Sequence, residues 1–311
     1  MSIENKKNKT KMKFLSKNIF ILLVFLAVNA AKAQDTDPMK LLMDMAPTDE
    51  KEPVTATFKG TRLINQHTIE VGGKRTLDFR IAHRFGTFNT GSYNFWGLDG
   101  GASIRMSLEY SYDGRLQFGL GRSSTEKTYD SYLKYRLLRQ TKNNSMPISV
   151  TLLAGMYYTN LQGSAALISG VDKFKNTSSR LSFAHQIMIA RKFGERLSVQ
   201  ITPSYVHYNQ VDKISDKNDT YAVGALGRYK FTKRTAVTFE YMARVNEFSR
   251  TSTYYDSMGI GLDIETGGHV FQVHLTNSLG ITENQFITKT SDSWAKSGMR
   301  LGFNISRAFT L

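Results

Sequence analysis

From Arg75 to Leu311 the chain keeps returning to one pattern, roughly ten residues of alternating apolar and polar side chains followed by a turn. Strand side chains point alternately to opposite faces, so a period of two commits this stretch to a sheet with one greasy face and excludes a helical domain. The first segment carries Leu77, Phe79 and Ile81, the second Ile104, Met106, Leu108 and Tyr110, and the last Leu301, Phe303, Ile305 and Phe309. Twelve segments fit the pattern, an even number that returns both ends of a closed antiparallel sheet to the same side. The mean hydropathy of −0.33 excludes a bundle of membrane-spanning helices, because each span needs ~20 mostly apolar residues.

Alternation alone fits a soluble sandwich as well as a membrane barrel, since it does not say which face meets water. Three features choose between them. Short turns at 113–114, 194–196, 232–234 and 266–268 are interleaved with long connections near 86–101, 160–177, 208–218 and 278–297, with 141–147 intermediate. Outer-membrane barrels sort their connections this way, short on the periplasmic side and long outside. The polar face mixes Asp78, Arg80, Arg84, Arg105, Glu109, Lys134, Arg136, Arg228, Glu240, Arg244 and Asp263 with glycines at 119, 121, 224, 259, 261 and 302. Small residues and mixed charges suit a wet lumen of limited width. Aromatic residues gather at both ends of the apolar face: Tyr112, Phe193, Phe231 and Phe309 toward the short turns, and Phe85, Tyr129, Tyr158, Tyr205, Tyr221 and Tyr255 toward the long loops. Membrane interfaces favour such belts. Arg191 and Arg307 break the apolar face near its short-turn end, within snorkelling reach of water, whereas His185 breaks it near the middle. The fold expected is therefore all-β, a single antiparallel transmembrane β-barrel of about twelve strands over 75–311, with short periplasmic turns and long outer loops.

Residues 1–33 have the form of an export signal. Lys6, Lys7, Lys9, Lys11, Lys13 and Lys17 precede an apolar run over 19–28, and Ala31-Lys32-Ala33 supplies a small-x-small cleavage site. The signal carries seven lysines and one glutamate, so the net charge of +15 falls to +9 beyond it. Nucleic acid is not an expected partner, because much of the basicity belongs to export and no zinc-finger spacing or aromatic RNA-binding motif is present. The chain has no cysteine, which excludes a disulfide scaffold, a thiolate metal site, a cysteine nucleophile and a lipoprotein anchor. No Gly-rich loop follows an apolar strand and opens a helix, and Asp216-Lys217-Asn218-Asp219 lacks the spaced carboxylates of a calcium loop, so no cofactor or metal is expected. The expected surroundings are outer-membrane lipids of a Gram-negative cell and, during insertion, the barrel-assembly machinery; Phe309 lies near the end of the last segment, although the final residue is Leu311.

Several runs have a family likeness. Ala56-Thr57-Phe58-Lys59-Gly60-Thr61-Arg62-Leu63-Ile64-Asn65, the stretch Leu77 to Gly86, the stretch Asp263 to Phe271 and the closing Phe303 to Leu311 resemble an uncharacterised bacterial outer-membrane β-barrel family, a domain of unknown function. The resemblance covers the chain from about Thr55 onward and implies the same fold and location. It implies no catalytic residue.

Residues 34–74 form an expected periplasmic segment. Its first part sets Asp35, Asp37, Asp44, Asp49, Glu50 and Glu52 against Lys40 and Lys51, and reads either as a frayed tail or as a tether or partial plug drawn to an arginine-rich lumen. Phe58–Glu70 alternates poorly and contains Gly60, so it is expected to pack inside the barrel mouth or beneath it rather than as a thirteenth strand.

The favoured function is a narrow pore or transport-related channel for small polar or anionic solutes. Arg80, Arg84, Arg105, Lys134, Arg136, Arg228 and Arg244, set against Glu109, Glu240 and Asp263, would bias its selectivity. The same residues also fit a ladder of ion pairs between neighbouring strands. The alternative is a structural or partner-binding barrel without conductance; Phe88, Tyr93, Phe95 and Trp96 in the first long loop would be rim contacts or a constriction folded into the lumen. An outer-membrane hydrolase ranks below both. His269, His274, Asn277 and Ser278 cluster around the eleventh segment, but by phase His274 faces the lumen and Asn277 the lipid, so no catalytic residue is assigned.

Overall fold

Side chains that alternate in hydropathy and are rich in aromatic and β-branched residues build strands where the pattern places them. The computed structural model describes residues 51–311 apart from 162–166, 169–170, 173, 175, 212–215, 250–251 and 267–268. The expected export signal and the acidic stretch 34–50 lie outside the described residues. Twelve strands close a barrel: β1 (Lys74–Thr87), β2 (Ser103–Asp113), β3 (Leu116–Ser123), β4 (Thr128–Leu138), β5 (Ser149–Thr159), β6 (Leu181–Phe193), β7 (Leu197–Tyr208), β8 (Asp219–Lys230), β9 (Thr235–Arg244), β10 (Ser257–Thr266), β11 (His269–Thr276) and β12 (Arg300–Thr310). Each strand pairs antiparallel with the next, and β1 completes the ring on β12 with Leu77 opposite Phe309 and Ile81 opposite Ile305. Closure leaves no sheet edge, so the ladder satisfies its own backbone groups without help from lipid or water.

The barrel is greasy outside. Along β2, Ile104, Met106 and Leu108 point outward and are exposed, while Arg105, Ser107 and Glu109 point inward and are buried. Arg191 and Arg307 lie on the outer face with their guanidiniums 5.3 and 4.9 Å from the ring centres of Phe193 and Phe309, which covers the charges with aromatic faces near the short turns. The connections follow the expected sorting with two exceptions. At the long-loop end 124–127 is tight, and at the short-turn end 139–148 is longer, where its Thr141 forms a bridge with Pro53.

The lumen departs from a wet, uniformly polar channel. Residues 57–71 lie inside it, and Phe58, Leu63 and Ile69 pack against the inward-facing Tyr132, Leu153, Met188 and Leu226. From the long-loop end, connection 277–299 folds inward as a short helix, α1 (Glu283–Thr288), whose six residues are all buried. Its Phe286 and Ile287 meet Tyr157, Val206, Tyr208 and Met242. The inward apolar contacts come from β4 to β9, where they alternate with polar groups such as Gln200, Arg228 and Glu240, while β1 to β3 and β10 to β12 present mainly charged, amide and hydroxyl side chains. These apolar residues sit in the inward phase of their strands, opposite the greasy outer face.

Candidate functional site

The site is the packing of the inner wall around 57–71. This segment makes a tight hairpin: Arg62 and His67 bridge, Leu63 N–H donates to Gln66 O at 3.0 Å, and Thr68 N–H donates to Thr61 O at 3.0 Å. The rest of its backbone cannot join the closed ladder, yet buried backbone groups need partners. The wall supplies them with side chains. The Glu240 carboxylate accepts from the N–H groups of Ile64, Asn65 and Gln66 at 3.3, 2.9 and 3.1 Å and from Asn65 Nδ2 at 2.8 Å. Gln200 accepts from Ile69 N–H at 2.8 Å and donates to His67 O at 2.8 Å. Thr151 donates to Ile69 O at 2.9 Å, and Asn304 Nδ2 donates to Ile64 O at 3.0 Å.

The ten predicted lumen charges all lie on the inner side of the strands, and six of them hold this segment. Arg84 donates to Ile64 O and Asn65 Oδ1, both at 2.9 Å, and to Asn304 Oδ1 at 3.0 Å. Lys134 donates to Glu70 O at 2.5 Å and Thr61 O at 3.3 Å. Among the described residues neither cation has a carboxylate within ion-pair distance; carbonyls of the inserted segment take that place. Arg136 pairs with Glu70 at 3.2 Å, Arg80 donates to Thr61 Oγ1 at 2.7 Å, and Glu109 accepts from the same hydroxyl at 2.7 Å. Glu240 is the sixth. The other four pair elsewhere. Arg105 makes a two-pronged contact with Asp130 at 3.0 and 2.6 Å, Arg228 joins Glu265 at 2.8 Å and Asp263 at 3.5 Å, and Arg244 meets Asp256 at 3.2 Å near the long-loop end. Glycines make the fit possible. A Cβ at 224 would lie 2.1 Å from Gln66 Oε1, and one at 259 would lie 2.8 Å from Ile64 Cδ1.

The two insertions meet in mid-lumen. Glu283 of α1 accepts from Arg62 Nη1 at 2.6 Å and Nη2 at 3.4 Å and from the Tyr157 hydroxyl at 2.6 Å, with His67 Nε2 3.5 Å away. All four side chains are buried. Burial first, and the charge of Arg62 next, hold the His67 imidazole well below its usual range, so it is neutral at pH 7. Sequence reasoning missed Arg62, Tyr157, Gln200, Thr151, Asn304 and Glu283. Gln200, Thr151 and Asn304 stand in the inward phase and were there to be read, whereas Arg62 and Glu283 lie in segments without periodicity.

Tyr93, Phe95 and Trp96 are exposed at the rim rather than folded into the lumen. Asn277 does not face lipid. It is buried and donates to Asp256 O and Asp292 O at 3.0 and 2.9 Å, because the strand ends at Thr276 and the chain turns inward there. His274 is buried in the lumen, and the Ser278 hydroxyl donates to Gly280 O at 2.9 Å. Asp216 accepts from Ser249, and Asp219 from Tyr205, with His207 Nδ1 2.7 Å away.

No curated protein matches the chain. Among solved structures, the NanC porin is similar at 9% identity over 76% of this chain and 100% of that one, with a TM-score of 0.45. An outer membrane channel from Pseudomonas putida F1 is similar at 17% identity over 78% and 98%, also at 0.45. The outer membrane protein Omp33 of Acinetobacter baumannii is similar at 9% identity over 77% and 100%, at 0.40. A family model described as a membrane bound beta barrel domain matches residues 58–309, which takes in the lumen hairpin as well as nearly the whole barrel, and the chain belongs to that family, DUF5777.

Proposed function

We propose that the protein is an outer-membrane barrel, short turns in the periplasm, that is closed at rest and opens a narrow pathway for small polar or anionic solutes. The observation that carries this reading is the division of the lumen. Apolar contacts on β4 to β9 anchor the two insertions on one side, while a mainly charged and polar wall faces them on the other. A route that opens along the charged wall would expose Arg84 and Lys134 without carboxylate partners and would part Arg136 from Glu70. Three freed cations, set against a Glu109 that keeps Arg80 3.7 Å away, favour anions. The burial of Arg84, Lys134 and Arg136 favours a second reading, a barrel that never conducts and serves as a structural or partner-binding element.

Planar-bilayer recording separates the two. The intact chain should be silent or open briefly, and a variant with 57–71 replaced by a Gly/Ser linker should conduct with anion preference. A linker variant that keeps the heat-modifiable gel shift of a folded barrel yet stays silent would refute the pathway and leave the second reading.

A further inference from the structure

We propose that Arg62, His67 and Tyr157 form a carboxylate-binding pocket, which the loop carrying α1 occupies with Glu283 and which a small carboxylate solute enters in its place. The proposal rests on the closed-pathway reading and names the solute class.

A guanidinium fork, a phenol and an imidazole converge on one carboxylate, at 2.6 and 3.4 Å from Arg62, 2.6 Å from Tyr157 and 3.5 Å from His67. Planar two-pronged recognition of this kind discriminates a carboxylate from a neutral amide. The donors are set without help from the loop. Arg62 Nη1 also donates to Asn65 O at 2.8 Å, His67 lies edge-on to Tyr132 with ring centres 4.6 Å apart, and Tyr157 belongs to the wall strand β5. Arg62 Nε and both ring nitrogens of His67 are buried without a hydrogen-bond partner, so the pocket holds hydrogen-bonding capacity that Glu283 does not use.

The loop has anchors besides this charge. Phe286 and Ile287 are packed in the apolar cluster, Asn284 donates to Ser182 at 3.0 Å, Gln285 to Thr128 at 3.0 Å, and the Tyr208 hydroxyl to Asn284 O at 2.7 Å. A buried ion pair generally holds a fold no better than apolar packing of the same volume, so fixing the loop is a weak reason to carry an ionised carboxylate into the lumen. A carboxylate that seals a receptor site is a sufficient one. It arrives from the long-loop end, the direction from which a solute would come.

The test uses the full mature barrel in detergent micelles, with succinate as probe and neutral succinamide as control. Succinate should raise amide exchange over 283–288 saturably, by about tenfold, as Glu283 is displaced. Succinamide should not, and Arg62→Gln should abolish the effect. Calorimetry on Glu283→Gln, whose fold is checked by gel shift, should show tighter succinate binding than wild type because the internal competitor is gone. Unchanged exchange in wild type, binding matched by succinamide, or binding that survives Arg62→Gln overturns the proposal. If Glu283→Gln fails to fold, the wild-type exchange result decides. Conductance is read separately: a barrel that binds succinate but never conducts keeps the pocket and refutes the pathway, and one that conducts without binding succinate does the reverse.

Discussion

Glu240→Ala is the sharpest probe of how the lumen hairpin is held. The carboxylate accepts from three consecutive backbone N–H groups and from the Asn65 side-chain amide, all within 3.3 Å, and it is fully buried. Truncation leaves three buried N–H groups without an acceptor and Asn65 Nδ2 with only a 3.4 Å contact to Thr276 Oγ1, each lost partner costing about 1–3 kcal/mol. Water entering the vacated space recovers part of this, so a net loss of about 3–6 kcal/mol is expected. None of these bonds belongs to the strand ladder, where Glu240 pairs through its backbone with Leu226 and Gly259. The barrel should therefore survive while the hairpin loosens. Each 1.4 kcal/mol is a factor of ten, so local exchange at 64–66 should rise by roughly two to four powers of ten, with amides of β9 unchanged. Glu240→Gln, which keeps one acceptor oxygen, should fall between. Hydrogen exchange read by mass spectrometry on folded variants decides it. Wild-type protection at 64–66 in the Glu240→Ala barrel would refute the claim that this carboxylate holds the hairpin in the lumen.

Three further outcomes follow from the same packing. In Gly119→Ala the new Cβ would lie 2.1 Å from Cε1 of Tyr132, a buried ring packed edge-on to His67, so overpacking of about 1–3 kcal/mol should lower the urea midpoint; an unchanged midpoint would count against the tight fit. Seated in the lumen, His67 titrates below its ordinary value of 6.5, so a withdrawn hairpin binds more protons. Its seating is fully favoured above about pH 6.5 and weakens below it by up to ~1.4 kcal/mol per pH unit. Exchange at 62–68, corrected for the intrinsic rate, should therefore climb on acidification in wild type and not in His67→Gln, and equal slopes would exclude His67 as the cause. Tyr157→Phe removes a 2.6 Å hydrogen bond to the Glu283 carboxylate and should loosen α1 by about 1.5–3 kcal/mol, seen as faster exchange over 283–288; unchanged exchange would mean that the phenol contributes nothing.

The strands were open to reading because a period of two is a local property, and the structure keeps the phase of each segment: Arg80 and Arg84 inward on β1, Arg105 and Glu109 on β2, Lys134 and Arg136 on β4, Glu240 on β9 and Asp263 on β10. His185 does face outward, but its ring stacks on Tyr205 at 6.2 Å, and the Tyr205 hydroxyl donates to Asp219 at 2.6 Å toward the long-loop end. The ladder beside it is interrupted, since the paired residues pass from Gln186–Ser204 to Ile189–Ile201 across Pro203, which has no N–H to give.

What fills the lumen was hidden for a different physical reason. The hairpin at 57–71 has no period, because its backbone is satisfied by side chains from strands that lie far away in the chain. No local window contains both partners. The wall nevertheless carries two signals of its own. Inward phases hold Gln200, Gln272 and Asn304, amides able to donate and accept together, as a guest backbone demands and as a charge ring for solutes does not. Inward phases on β5, β6 and β8 also hold Leu153, Met188 and Leu226, which a water-filled channel would leave wetted at about 1.5–3 kcal/mol apiece relative to burial. Large apolar side chains facing the axis on one side of a barrel, opposite a wall of amides and arginines, therefore diagnose a barrel that folds around part of its own chain.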